Sequence, residues 1–182
     1  MMRQLLITMV AITALLTGFY LSARHFSEPA VTPQPASIGT GPLLGNTRPD
    51  FQLASHAGEF ISPADYSGKT LLINFWATWC APCRQEMPML MDLQRQYASS
   101  GLQVVGIALD DAQSVRSFVQ TYGISYPILV GSEDVFETSV AYGNDEGVLP
   151  YSVLIDKTGV VRWQYAGIIQ HDEITKLLSD FL

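Results

Sequence analysis

The sequence predicts a layered α/β domain with a central, mostly parallel sheet flanked by helices. Three observations carry that reading. The apolar runs "LLINFW" and "LQVVGIALD" lack polar alternation, which fits strands buried on both faces. Segments with helical spacing of apolar residues lie between and after these runs. Strand and helix patterns then alternate in the order β-α-β-α-β-α-β-β-α, as expected when helices cover both faces of a sheet.

Each element has a local reason. "DFQLAS" alternates and "HAGEFIS" turns at Gly58, which predicts a short N-terminal hairpin. In "DYSGKTLLINFWA", Ser67-Gly68 makes a turn before the first buried strand. Pro82 to Ser100 reads as a helix, with Met87, Leu90, Met91 and Leu93 at helical spacings and Gly101 as its stop. Pro88 lies inside it and predicts a kink. "LQVVGIALD" is the second strand. Ala112 to Tyr122 reads as a helix with Val115, Phe118, Val119 and Tyr122 on one face. "YPILVG" is a short strand, and Asp134 to Tyr142 a further helix. "LPYSVLID" and "VVRWQYAG" flank the turn Asp156-Lys157-Thr158-Gly159, so they form an antiparallel pair that makes the sheet mixed. Residues 171–181 close the chain with a helix.

The 182 residues allow one domain plus extras. The formal net charge is -7, and there is no basic run to neutralise phosphates. A nucleic-acid partner is therefore excluded. Charged residues make up 15% of the chain, against about 25% in an ordinary soluble domain. Part of that deficit is local, because residues 5–21 carry no charge. That run reaches the short end of the roughly 17–25 residues that span a bilayer, and exceeds the ~7–15 of a cleaved signal. A cleavage site ending at Ala23 would put Leu21 where a small residue is wanted. Residues 1–23 are thus expected to be an uncleaved signal-anchor, with Arg3 inside and the rest outside. Residues 24–45, rich in Pro, Gly, Ser and Thr, read as a flexible linker, and 46–182 as the folded domain.

Only two cysteines occur, Cys80 and Cys83 in "WATWCAPCRQEMP". A structural zinc site wants four ligands, and His25, His56 and His171 stand at no ligand spacing from the pair. A staple would close too small a ring to stabilise much. A reagent fits best. The strand before Cys80 leads into a helix that opens near it, so unpaired N–H groups and the dipole favour a thiolate there. Cys83 lies one turn on, close enough for a Cys80–Cys83 disulfide. Cys80 would attack a substrate disulfide, and Cys83 would resolve the mixed disulfide.

The segment "LLINFWATWCAPCRQEMP", with "GVLPYSVLID" later, resembles the thioredoxin superfamily. More narrowly, it is similar to the membrane-anchored TlpA/ResA-like thiol-disulfide oxidoreductases. The likeness runs over about residues 46–182. It implies a thioredoxin-like fold with an extra βα insertion around residues 111–130. It also implies a periplasmic enzyme, held at the bacterial inner membrane by a single pass, that reduces client disulfides through the CxxC pair. Cys80, Cys83 and Glu86 become the catalytic residues. Trp79, Ala81, Pro82, Leu149 and Pro150 become the substrate-binding ones, with Pro150 as the family's cis-proline. Trp76 and Trp79 are expected to pack around the disulfide, and Arg84 to be a solvated face residue.

No cofactor or metal is implied. The partners are disulfide-containing clients, with apocytochrome c and copper-site proteins as candidates, and a DsbD/CcdA-type membrane reductase as electron donor. Two departures stand out. Tyr151 follows Pro150 where cytochrome c maturation members carry Glu. Asn74 stands where short thioredoxins bury an Asp, which leaves proton handling to Glu86. Two other functions share the fold. A thiol-dependent peroxidase needs Thr or Ser three residues before its reactive Cys, where this chain has Ala77. A copper-delivery protein spaces its cysteines three apart and uses a later His.

Overall fold

The computed structural model of the protein describes residues 41–182. The expected signal-anchor at 1–23, and the linker up to residue 40, lie outside the described residues. Among the described residues no helix is long and apolar enough to cross a membrane.

A hairpin opens the domain, with β1 (Leu53–Ala54) paired antiparallel to β2 (Phe60–Ile61) around Gly58 at φ 96°. Then follow β3 (Thr70–Trp76), α1 (Ala81–Tyr97), β4 (Leu102–Leu109), α2 (Ala112–Tyr122) and β5 (Ile128–Gly131). The chain continues through α3 (Glu133–Ala141), β6 (Tyr151–Ile155), β7 (Val161–Ala166) and α4 (His171–Ser179). Two 3-10 turns, Pro63–Tyr66 and Ala98–Ser100, interrupt stretches that the sequence patterns left as turn or helix end. The five-stranded sheet has the order β5-β4-β3-β6-β7. β3, β4 and β5 run parallel, while β6 and β7 are antiparallel additions. This is the mixed α/β sheet that the strand and helix patterns predict, and α2 and β5 lie where the insertion around residues 111–130 is expected.

All seven residues of β3 are buried. The pleat sends them alternately to two cores. Leu71, Ile73 and Phe75 join Val105, Ile107 and Val153 on one face. Leu72 and Trp76 join Leu90, Phe118 and Leu178 on the other. Asn74 shares this second face by the same alternation, beneath α1. Gly106 lies opposite Asn74 in β4. A side chain there would crowd Ile128, and its Cβ would sit 3.0 Å from the Trp76 indole nitrogen and 3.1 Å from the Tyr126 ring. Its small size lets those rings close over the strand.

Some expectations shift. α1, with the exposed Pro88 inside it, ends at Tyr97, and Ala98–Ser100 is a 3-10 turn in place of the expected helix end. Tyr122 is 56% exposed, stacked on Phe118 at 4.2 Å, and lies outside the buried stripe of α2. The domain also begins earlier than residue 46. The Leu43 N–H donates to Gln164 Oε1 at 3.0 Å, and the Gly45 N–H to the Val161 carbonyl at 2.8 Å. The last part of the expected linker is bound to the edge of β7 because its backbone groups pair there.

Candidate active site

β3 ends at Trp76, and the chain turns through Ala77–Cys80, with the Cys80 N–H donating to the Ala77 carbonyl at 3.2 Å. Cys80 is the N-cap of α1, and its Sγ accepts the Cys83 N–H at 3.3 Å. Pro82 occupies a first-turn position whose N–H would have no helical partner anyway. Cys80 and Cys83 form a disulfide with Cα atoms 5.3 Å apart. Cys80 is 5% exposed and Cys83 is sealed at 0%. On reduction the Cys83 N–H and the helix dipole both face the Cys80 sulfur, and both favour its thiolate.

Cys83, Glu86, Met87, Leu90 and Leu93 are the buried stripe of α1. Their helical spacing forces Glu86 onto the sheet side with the apolar residues. It is 2% exposed. One carboxylate oxygen accepts from Asn74 Nδ2 at 2.7 Å, the other from the Ile169 N–H at 3.1 Å. Burial pushes the Glu86 carboxyl up to about 7, although both hydrogen bonds pull it down. Asn74 also donates to Ser152 Oγ at 3.0 Å, its direct register partner on β6. Asn74 is therefore a holder of the acid, a role the sequence pattern did not give it. Ser152 and the Ile169 backbone were missed altogether. The only sequence signal for Ser152 was a polar residue inside the apolar run of β6, and Ile169 offered none.

Pairing of Phe75 with Tyr151 brings Leu149-Pro150 to the same end of the sheet as the cysteines. The Leu149–Pro150 bond is cis. Leu149 packs, half-buried, against the core cluster that contains Cys80 and Cys83. Among the described residues its N–H and C=O make no backbone hydrogen bond. Ala81 is exposed and Pro82 half-buried beside the disulfide. Trp79 departs from the expected packing: it is 67% exposed. Trp76 is fully buried, 5.2 Å from the Phe118 ring centre. Arg84 is exposed, yet it reaches the Thr78 carbonyl at 3.4 Å. Thr78 in turn donates from both N–H and Oγ1 to Asp110 Oδ2, at 2.9 and 2.5 Å. Among the described residues no three His, Cys, Asp or Glu side chains gather as a metal site.

Residues 44–164, which include this whole arrangement up to β7, match the AhpC/TSA family. The chain belongs to that family. It is 31% identical over 163 residues to the thiol-disulfide oxidoreductase ResA of Geobacillus thermodenitrificans, covering 89% of this chain and 86% of that one. It is 36% identical over 141 residues to the thioredoxin-like protein YneN of Bacillus subtilis, covering 74% and 78%. Among solved structures, a thiol:disulfide interchange protein of the thioredoxin family from Chlorobium tepidum superposes with a TM-score of 0.66 at 30% identity. That match covers 74% of this chain and 94% of the other. This AhpC/TSA member is a ResA-like thiol-disulfide oxidoreductase on a thioredoxin-like fold, and disulfide-containing proteins are its clients.

The raised pKa of Glu86 makes stability depend on pH. The folded chain keeps this proton up to about pH 7, whereas the unfolded chain loses it near 4.5. Folding therefore takes up a proton between those values, and the contribution to stability falls as pH rises through that window. The slope is at most about 1.4 kcal/mol per pH unit. Glu86→Gln is expected to remove it. Thermal unfolding of both oxidised proteins from pH 5 to 8 checks this: the wild-type-minus-variant difference should decline with pH and flatten above about 7. A flat difference would make Glu86 a spectator.

Proposed function

We propose that this oxidoreductase works in the periplasm, tethered to the inner membrane by residues 1–23, as a reductant of client disulfides. The observation that carries the reading is the asymmetry of the two sulfurs. Cys80 caps the helix and keeps a sliver of exposure, 5%, whereas Cys83 is sealed at 0% on the stripe that holds Glu86.

The steps follow. In the reduced enzyme the Cys80 thiolate attacks one sulfur of a client disulfide. That S–S bond breaks, and its second sulfur leaves as a thiolate. Cys83 then gives its proton to the Glu86 carboxylate, attacks Cys80 Sγ and displaces the first client sulfur. Two electrons pass to the client, which gains two thiols once its thiolates are protonated, and the Cys80–Cys83 disulfide is left. A carboxyl poised near 7 suits that transfer at neutral pH. The Leu149 backbone offers an extended client segment a strand-like partner, and exposed Trp79 offers it an apolar platform. A DsbD/CcdA-type membrane reductase returns the two electrons.

The two other functions fit less well. Thr78, the hydroxyl near Cys80, is committed to Asp110 and is not free to bind a peroxide. His171, the late histidine a copper carrier would use, is exposed at the start of α4 with its ring against Asp172.

Non-reducing gels test the central claim. Cys83→Ser should accumulate mixed disulfides with clients in an exporting host, and Cys80→Ser should trap nothing. Equal trapping by both variants, or trapping by Cys80→Ser alone, would overturn the assignment.

Direction is read from the reduction potential of the pair in a glutathione or dithiothreitol buffer. A reductant should lie near thioredoxin's, roughly -270 mV, and a value near -120 mV would mean an oxidant.

Tethering predicts that the full chain stays with the membrane fraction through a high-salt wash. Release of a soluble species beginning near Arg24 would refute it.

A further inference from the structure

We propose that Asp110 is a positioning residue for disulfide exchange: from the end of β4 its carboxylate clamps Thr78, and so sets where the Cys80 sulfur and the Trp79 ring stand. The inference rests on Cys80 as the attacking thiol.

Thr78 lies in the turn between the buried end of β3 and the cap of α1. Every polar group it has is engaged. Its N–H and hydroxyl both donate to Asp110 Oδ2, at 2.9 and 2.5 Å, and its carbonyl accepts from Arg84 Nη1 at 3.4 Å. The two bonds to Asp110 are charge-assisted, which makes them the stronger kind. Asp110 is itself fixed. Its N–H donates to the Gly131 carbonyl at 3.1 Å, and its Oδ1 accepts the Asp111 N–H at 2.9 Å. The turn is thus held by β4 and β5 from one side and by α1 from the other.

A purely structural duty would lie elsewhere. The N-terminus of α2 is capped by Asp111, whose carboxylate accepts from the Gln113 and Ser114 N–H groups at 3.0 and 2.9 Å. The Asp110 carboxylate adds nothing to that cap beyond the Asp111 N–H bond. Its Oδ2 is spent wholly on the turn before Cys80. Ala77 and Cys80 anchor the ends of that turn in the core, but its middle, Thr78 and Trp79, is held by these side-chain bonds alone. Trp79 is 67% exposed, and the Cys80 N–H reaches back only to Ala77. Disulfide exchange needs the attacking sulfur in line with the bond it breaks, and small misplacements of a reacting group cost large factors in rate.

The test uses the full chain in a Cys83→Ser background, where attack by Cys80 is read alone. Oxidised glutathione and a disulfide-bearing peptide are the probes. Mixed-disulfide formation is followed from pH 5 to 9 at 25 °C, so that a change in thiol pKa is separated from a change in rate per thiolate. Unfolding of each variant is measured alongside. Asp110→Ala and Thr78→Val are each expected to slow the reaction per thiolate about tenfold while folded. Their combination should be no slower than Asp110→Ala alone, because Thr78→Val removes only the hydroxyl half of the link that Asp110→Ala removes entirely. Thr78→Ser keeps both donors and should restore the parent rate.

Undiminished rates in folded Asp110→Ala or Thr78→Val would overturn the clamp, as would losses that multiply in the double variant. A lowered melting temperature with full rate would leave Asp110 a structural residue only, which also overturns it. If Asp110→Ala does not fold, the contrast between Thr78→Val and Thr78→Ser decides alone. Failure of the parent itself to trap either probe would sink the assignment of Cys80 as attacker, and the clamp with it. Normal trapping by the parent with unaffected variants sinks only the clamp.

Discussion

β3 is hydrogen-bonded along both edges, by β4 and β6, and buried on both faces. It has no freedom to slide, because a one-residue slip would exchange its two faces. Its end at Trp76 therefore fixes where the chain must turn, and four residues later α1 begins with the cysteines. The same pairing sets Tyr151 beside Phe75 and so brings Leu149-Pro150 to that end of the sheet. It also sets Ser152 beside Asn74, which holds Glu86. The two cysteine sulfurs, the Leu149 backbone and the acid all take their places from one strand's register.

Two opposed influences meet along α1. The helix N-terminus favours negative charge on Cys80. One turn past Cys83, burial disfavours negative charge on Glu86 and holds its proton to about pH 7. The first suits the nucleophile proposed above, the second the proposed proton donor and acceptor. They coexist because the stripe Cys83–Glu86–Met87 runs inward from the mouth of the helix, so environment changes steeply over one turn. Asn74 and the Ile169 N–H keep the buried carboxyl satisfied without matching its charge.

Much of the fold could be read from periodicity. α2 falls at Ala112–Tyr122, where apolar spacing, an Asp before it and a Gly after it mark the ends. The cysteines at the helix mouth were legible too, since a buried strand followed by "WCAPC" leaves little choice. The holders of the acid were not. Asn74 and Ser152 are distant in the chain and meet only through strand register, which side-chain pattern does not specify for a run buried on both faces. Glu86 alone could be either a solvated or a buried helix residue, and burial was decided by the sheet beneath it. Trp79 went the other way. The resemblance suggested packing around the disulfide, but Trp79 is 67% exposed. Asp110 closes a buried strand, and no local pattern tells that its carboxylate reaches across to Thr78.

β7 is the last strand of the sheet, and an uncovered edge of N–H and C=O groups is a template for another chain. Here Thr47 bridges to Val160, Gly45 and Asn46 bond to Val161, and Leu43 is held by Gln164. The short stretch from Gly41 thus guards the margin where a neighbouring molecule would otherwise add a strand. A domain trimmed at residue 46 loses the Gly45 and Leu43 bonds and opens the Val161 carbonyl, which invites self-association. One trimmed ahead of Gly41 keeps these bonds in place.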